Sequence, residues 1–103
     1  MVKKNEIYDL FSYWKKQGLS KEPLSQICAR RIKDRVKELG KEFVKEAIKN
    51  YSIILSDRNC NCERYSLCTF MTYKVQDFIY LDNAYNLYTK YEKPQIDEEG
   101  YLI

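Results

Sequence analysis

The chain has no histidine, only three glycines, two prolines and one tryptophan, and no apolar run of bilayer length. Without histidine it lacks the commonest general base and any imidazole ligand for a metal. So few glycines leave no glycine-rich phosphate loop and no nucleophile elbow, and no paired-carboxylate motif is visible. The sequence therefore predicts a protein that is not an enzyme. The opening "MVKKNEIYDL" is too charged for a signal peptide or a membrane span, so a cytoplasmic location and no membrane partner are expected. In a reducing compartment the four cysteines are not expected to form a disulfide framework.

What is present suits one domain: 103 residues, 15% aromatic, with ten tyrosines. The formal charge of +3 understates an asymmetry. Asp97, Glu98 and Glu99 stand together in the tail, whereas eleven Lys or Arg face five Asp or Glu between Lys15 and Lys49. A basic body of this kind suits an anionic partner, nucleic acid first, or is simply a solvated helix surface.

Helical periods dominate. Ile7, Leu10, Phe11 and Trp14 recur at steps of three and four, and Gly18 follows Lys15 and Lys16 as a stop, which predicts a helix over 4–17. Pro23 turns the connector, and Ser25 is a plausible N-cap for a helix over 25–39 with Ile27 or Cys28, Ile32, Val36 and Leu39 inside. Gly40 separates it from a third helix over 41–56 whose core face is read as Phe43, Ala47, Ile48, Tyr51, Ile54 and Leu55. Residues 57–73 show no clean period and are read as a loop, and 74–90 as a last helix, in one piece or two, with Val75, Phe78, Ile79, Leu81, Ala84, Tyr85 and Tyr88 apolar. The expected fold is all-α: a compact bundle of four to five short helices over 1–92, one long irregular loop, and an acidic tail at 93–103. Trp14 is read as core, because it shares the spacing of its apolar neighbours.

Two groups of side chains invite a chemical reading. Arg30, Arg31, Lys33, Arg35 and Lys37 crowd one helix, with Lys41 just beyond it. Guanidinium forks hold phosphates well, and Tyr65, Tyr73 and Tyr80 can stack on unpaired bases where they are exposed. The competing reading pairs Arg31 with Asp34 and Arg35 with Glu38 at i, i+3 spacing and places the tyrosines in the core. The second group is Cys60, Cys62 and Cys68 in "RNCNCERYSLC", with Cys28 as a possible fourth thiolate for a tetrahedral zinc. The spacing lacks a Cys-x-x-Cys knuckle, and the competing reading is a reduced loop with Cys68 packed inward.

The order of motifs resembles a known family. "IYDLFSYWKKQGL" is similar to the helix of DnaD-like domains that carries Ile-x-x-Leu-x-x-x-Trp and closes in lysines and glycine, here Ile7, Leu10, Trp14, Lys15, Lys16, Gly18 and Leu19. "RRIKDRVKELG", "EAIKNYSIILSD" and "YKVQDFIYLDNAYNLY" follow in the order found in the C-terminal domain of phage replisome-organiser and replication-initiation proteins. Ala47, Ile48, Asn50, Tyr51, Ile54, Leu55 and Asp57 match the third-helix motif of that domain, and Tyr73, Val75, Phe78 and Ile79 match the last. The winged-helix domain that usually precedes this module is not in the sequence, and the cysteine-rich loop departs from the family. The resemblance implies a DNA replication accessory in the host-cell cytoplasm, binding DNA through the basic helix or docking on a helicase or helicase loader. Two other readings stand beside it: a small phage-encoded inhibitor of a host protein such as a defence nuclease, and a zinc-stabilised binding module.

Overall fold

The computed structural model describes residues 2–89, and the acidic tail expected at 93–103 lies outside them. The architecture is an all-α bundle of five helices: α1 (Lys4–Lys16), α2 (Gln26–Leu39), α3 (Lys41–Ser56), α4 (Leu67–Thr69) and α5 (Leu81–Tyr88). Between α4 and α5 the chain continues through a π turn, Phe70–Lys74, and a 3₁₀ turn, Val75–Phe78. No strand occurs among the described residues; one antiparallel bridge joins Cys60 to Thr89.

The first two helices end where their glycines require. Gly18 follows α1 with φ of 70°, and Gly40 joins α2 to α3 with φ of 91°, a backbone region that side chains with a Cβ rarely enter. Ser25 caps α2 by accepting a hydrogen bond from the Cys28 amide at 3.0 Å. Helix α3 is the centre of the bundle, packed against α1, α2, the 3₁₀ turn and α5. It buries Val44, Ala47, Ile48, Tyr51 and Ile54. Phe43, expected inside, is 49% exposed, and Val44 takes its place. The apolar run at 43–44 allowed either phase, and packing against both flanks of α3 chose the later one. In α2 the same choice falls on Cys28, leaving Ile27 exposed.

An aromatic cluster fills the core. Trp14 is fully buried, as its spacing implied. Its ring lies 5.7 Å from Tyr51 and 5.2 Å from Phe70, and Tyr51 in turn lies 4.8 Å from Phe70 and 5.0 Å from Phe78. Pairs at these separations add to the stabilisation from burial alone. Trp14 donates its indole N–H to Ser20 Oγ at 2.7 Å, and Ser20 donates to Glu22 at 3.2 Å. The Glu22 carboxylate also accepts the Leu67 amide, so the connector after α1 caps the start of α4.

The segment read as a loop over 57–73 is shorter than expected. Ser66 accepts the Thr69 amide at 3.2 Å and starts a helical path that buries Leu67, Phe70, Met71, Val75 and Phe78. Those positions recur at steps of three and four, but the intervening threonines and cysteine blur the contrast. The helix expected over 74–90 begins with the 3₁₀ turn, with Ile79 and Tyr80 between it and α5. Asn50, the one buried polar residue among the described residues, pins this break by donating to the carbonyls of Phe78 at 2.8 Å and Ile79 at 3.3 Å.

Tyr51 ties the remaining loop to α3. Its hydroxyl donates to the Glu63 carbonyl at 2.9 Å and accepts the Tyr65 amide at 2.7 Å. Tyr51→Phe removes both bonds while keeping the ring, and is expected to destabilise the fold by about 1–3 kcal/mol in urea denaturation; an unchanged midpoint would refute the anchoring role. Burial also pushes the Tyr51 phenol up to about 12, against the opposing pull of the Tyr65 amide. The folded chain thus holds this proton where the unfolded chain, with an ordinary phenol near ~10, releases it. This contribution is intact below the ordinary phenol range and is lost as the pH climbs towards about 12. Tyr51→Phe is expected to flatten the alkaline fall in stability between those limits.

Candidate nucleic-acid interface

Helix α2 is amphipathic because Cys28, Ile32 and Val36 form its buried stripe. Arg30, Lys33 and Lys37 recur at i, i+3 and i+7 on the opposite side and are exposed. Among the described residues none of these three takes part in an ion pair, unlike their neighbours. Arg31 lies 3.9 Å from Asp34, Arg35 lies 3.2 Å from Glu38, and Lys41 lies 3.0 Å from Asp9. The six cations singled out in the sequence therefore divide into an open ridge of three and a flanking set of three with local carboxylate partners. The flanking contacts are largely solvent-exposed and contribute little to stability, but they neutralise charge next to the ridge.

Arg35 differs from the rest of its set. Its side chain turns along the bundle, and its Nε is buried without a hydrogen-bond partner. It lines a cleft of about 210 Å³ with Met71, Thr72, Tyr73, Val75 and Gln76. The π turn keeps Phe70 and Met71 inside and leaves Tyr73 76% exposed at the edge of this cleft. The other two tyrosines lie elsewhere. Tyr65 stacks on Tyr51 at 5.8 Å with the Lys74 ammonium 5.3 Å from its ring centre. Tyr80 is 66% exposed beside Phe43 and α3. Only Tyr73 lines the cleft with a residue of α2. Its exposure was not legible in the sequence, since nothing in a tyrosine-rich segment marks a π turn.

The cysteines do not assemble as a four-thiolate site. Among the described residues no group of three or more His, Cys, Asp or Glu side chains is placed to hold one metal ion. Cys28 and Cys60 are buried, and Cys62 and Cys68 are partly buried. Cys28 packs in the α2 stripe and senses Cys68 and Glu22, while Cys62 senses Cys60. The helix that carries Cys68 starts five residues beyond the Cys-x-Cys pair and takes Cys68 towards α2, whereas Asn61 is tied by its amide to the Tyr88 carbonyl at 2.7 Å. That divergence is the physical reason Cys28, Cys60, Cys62 and Cys68 are not brought together as zinc ligands.

Burial pushes the Cys28 thiol up to about 11, with Cys68 and Glu22 adding to the effect. Burial likewise pushes Cys62 up to about 11, reinforced by Cys60 and opposed by Lys74. Thiolate is the reactive and metal-binding form. Cys62 is therefore expected to alkylate with iodoacetamide at neutral pH about tenfold more slowly in the folded chain than in urea, the lost thiolate fraction being partly offset by the greater nucleophilicity of a more basic thiolate, as followed by mass spectrometry. Equal rates would show that the fold does not protect it. A chelator is expected to leave the Tm of the purified chain unchanged; a fall would show a metal contribution to stability.

No protein-family description, curated protein or solved structure matches this chain, so the reading of the site rests on its own residues.

Proposed function

We propose that the chain is a non-enzymatic nucleic-acid-binding accessory of the phage replication type, which holds a single strand along α2. The observation that carries this reading is the ridge of Arg30, Lys33 and Lys37, three exposed cations with no carboxylate partner among the described residues. Cations that only solubilise a helix are commonly interleaved with acids, as Arg31 and Asp34 are. Phosphate contacts draw affinity from counterion release, and three cations spread over about 10 Å of helix axis reach successive phosphates. Tyr73 supports a single strand over a duplex. Tyr73 stands beside Arg35, on another side of α2 from the ridge, and its exposed ring there offers a stacking face to an unpaired base of a strand that crosses the helix, which a duplex does not present. The family resemblance in the motif order supports replication as the setting, with a helicase or its loader as the neighbouring machinery.

Arg30→Glu, Lys33→Glu and Lys37→Glu together alter only exposed positions, so the fold is expected to survive by circular dichroism. Binding of a fluorescent oligothymidylate at low salt should weaken at least tenfold. The slope of log affinity against log salt should shrink by about 2, since each single-strand phosphate contact contributes ~0.7. Tyr73→Ala is expected to cost about 1–3 kcal/mol for the single strand and to leave the salt slope and any duplex binding unchanged. Undiminished binding by the triple variant, or no binding by the parent chain, would sink this function.

A further inference from the structure

We infer that the groove between α3 and the start of α5 is a docking site for a cationic amphipathic helix of another protein. This surface is separate from the α2 ridge, and the inference does not rest on nucleic-acid binding.

Phe43, Glu46, Asn50, Ile79, Tyr80, Leu81 and Asp82 line an open groove of about 300 Å³. Phe43 is 49% exposed and Tyr80 66% exposed, while Ile79 and Leu81 are partly buried against the core. Single exposed apolar residues are ordinary, but two large rings over an aliphatic floor form a continuous apolar patch. Phe43 is the more telling of the two, because it stands between Glu42 and Lys45 on a helix whose other outward positions are mainly charged. The floor is fixed rather than adaptable. Asn50 reaches across from α3 to hold the carbonyls of Phe78 and Ile79, and Tyr80 sits at the N-cap position of α5. A groove held open in this way binds without first having to order itself.

Charge selects the occupant. The chain as a whole has more bases than acids, yet among the described residues the charged side chains lining this groove are Glu46 and Asp82, both acidic. Glu46 has only a loose, exposed contact with Lys49 at 3.9 Å, which is worth little. Among the described residues Asp82 has no ion-pair partner. An apolar floor edged by two carboxylates fits a helix that lays Leu-type side chains into the groove and places Lys or Arg along its margins. A nucleic acid would meet the wrong charge here.

The test uses two synthetic helix-stapled peptides, each with leucines at i, i+3, i+4 and i+7. One carries lysine at the remaining positions and the other carries glutamate. Both are titrated into the ¹⁵N-labelled chain. The lysine peptide is expected to shift the amide signals of Phe43, Tyr80, Leu81 and Asp82 and to bind at least tenfold more tightly than the glutamate peptide. Phe43→Ser with Tyr80→Ser alters only exposed rings and should weaken it at least tenfold. Glu46→Gln with Asp82→Asn should cut the preference for the lysine peptide while the fold is unchanged. Equal binding of both peptides, shifts confined to other surfaces, or groove signals moved by oligothymidylate would overturn the inference. So would a dimer in sedimentation that Phe43→Ser with Tyr80→Ser dissolves, since a second copy would then be the occupant.

Discussion

Tyr51 is the residue on which the rest of the bundle depends. Its ring meets Trp14 from α1, Phe70 from the π turn and Phe78 from the 3₁₀ turn, and its hydroxyl fastens the loop at Glu63 and Tyr65. A core of one small domain has few layers, so a large side chain at its centre must serve several elements at once. Tyrosine does this because its apolar body packs while its polar tip satisfies backbone groups that a loop would otherwise leave unpaired. The cysteine-rich stretch is thereby held at both ends, by Tyr51 on one side and by the bridge from Cys60 to Thr89 on the other.

The same economy of packing shapes the surface. Because α3 is packed against α1, α2 and the C-terminal elements, its buried positions are Val44, Ala47, Ile48, Asn50, Tyr51 and Ile54, and its exposed ones are mainly charged. Lys41 and Lys45 are drawn towards α1, one to Asp9 and the other over the Tyr13 ring at 5.2 Å. Their charge is used within the fold. On the outer side of α2, Arg30, Lys33 and Lys37 have no such neighbour among the described residues and stay open. The two surfaces that stand out, the basic ridge and the acidic-edged apolar groove, are thus by-products of which helix faces the small core can cover.

The helical fold was legible because its apolar residues recur with the helical period. Leu10 with Trp14, Ile32 with Val36, and Ala47 with Ile48, Tyr51 and Ile54 mark their helices without ambiguity, and Gly18 and Gly40 mark the ends. Legibility failed where local chemistry permits two phases. Adjacent apolar residues at 27–28 and 43–44 offered alternative faces, and the path through Phe70–Lys74 took a π turn that no residue type signals. The candidate site was half legible. The basic residues of α2 and the local pairs Arg31–Asp34 and Arg35–Glu38 could be read from i, i+3 spacing, whereas the pairing of Lys41 with Asp9 across the bundle could not.

The sequence by itself determined the class of structure, the helical content and the excess of base over acid in the body of the chain, because periodicity and composition are local properties. It also excluded chemistry that needs histidine. Tertiary packing alone decided that Arg35 shares a cleft with Tyr73 and that Lys41 meets Asp9. It alone separated the cysteines and turned Phe43 and Tyr80 outward into one groove. These are relations between residues far apart in the chain. Their outcome depends on which of several equally apolar or equally charged side chains the neighbouring helices leave room to bury.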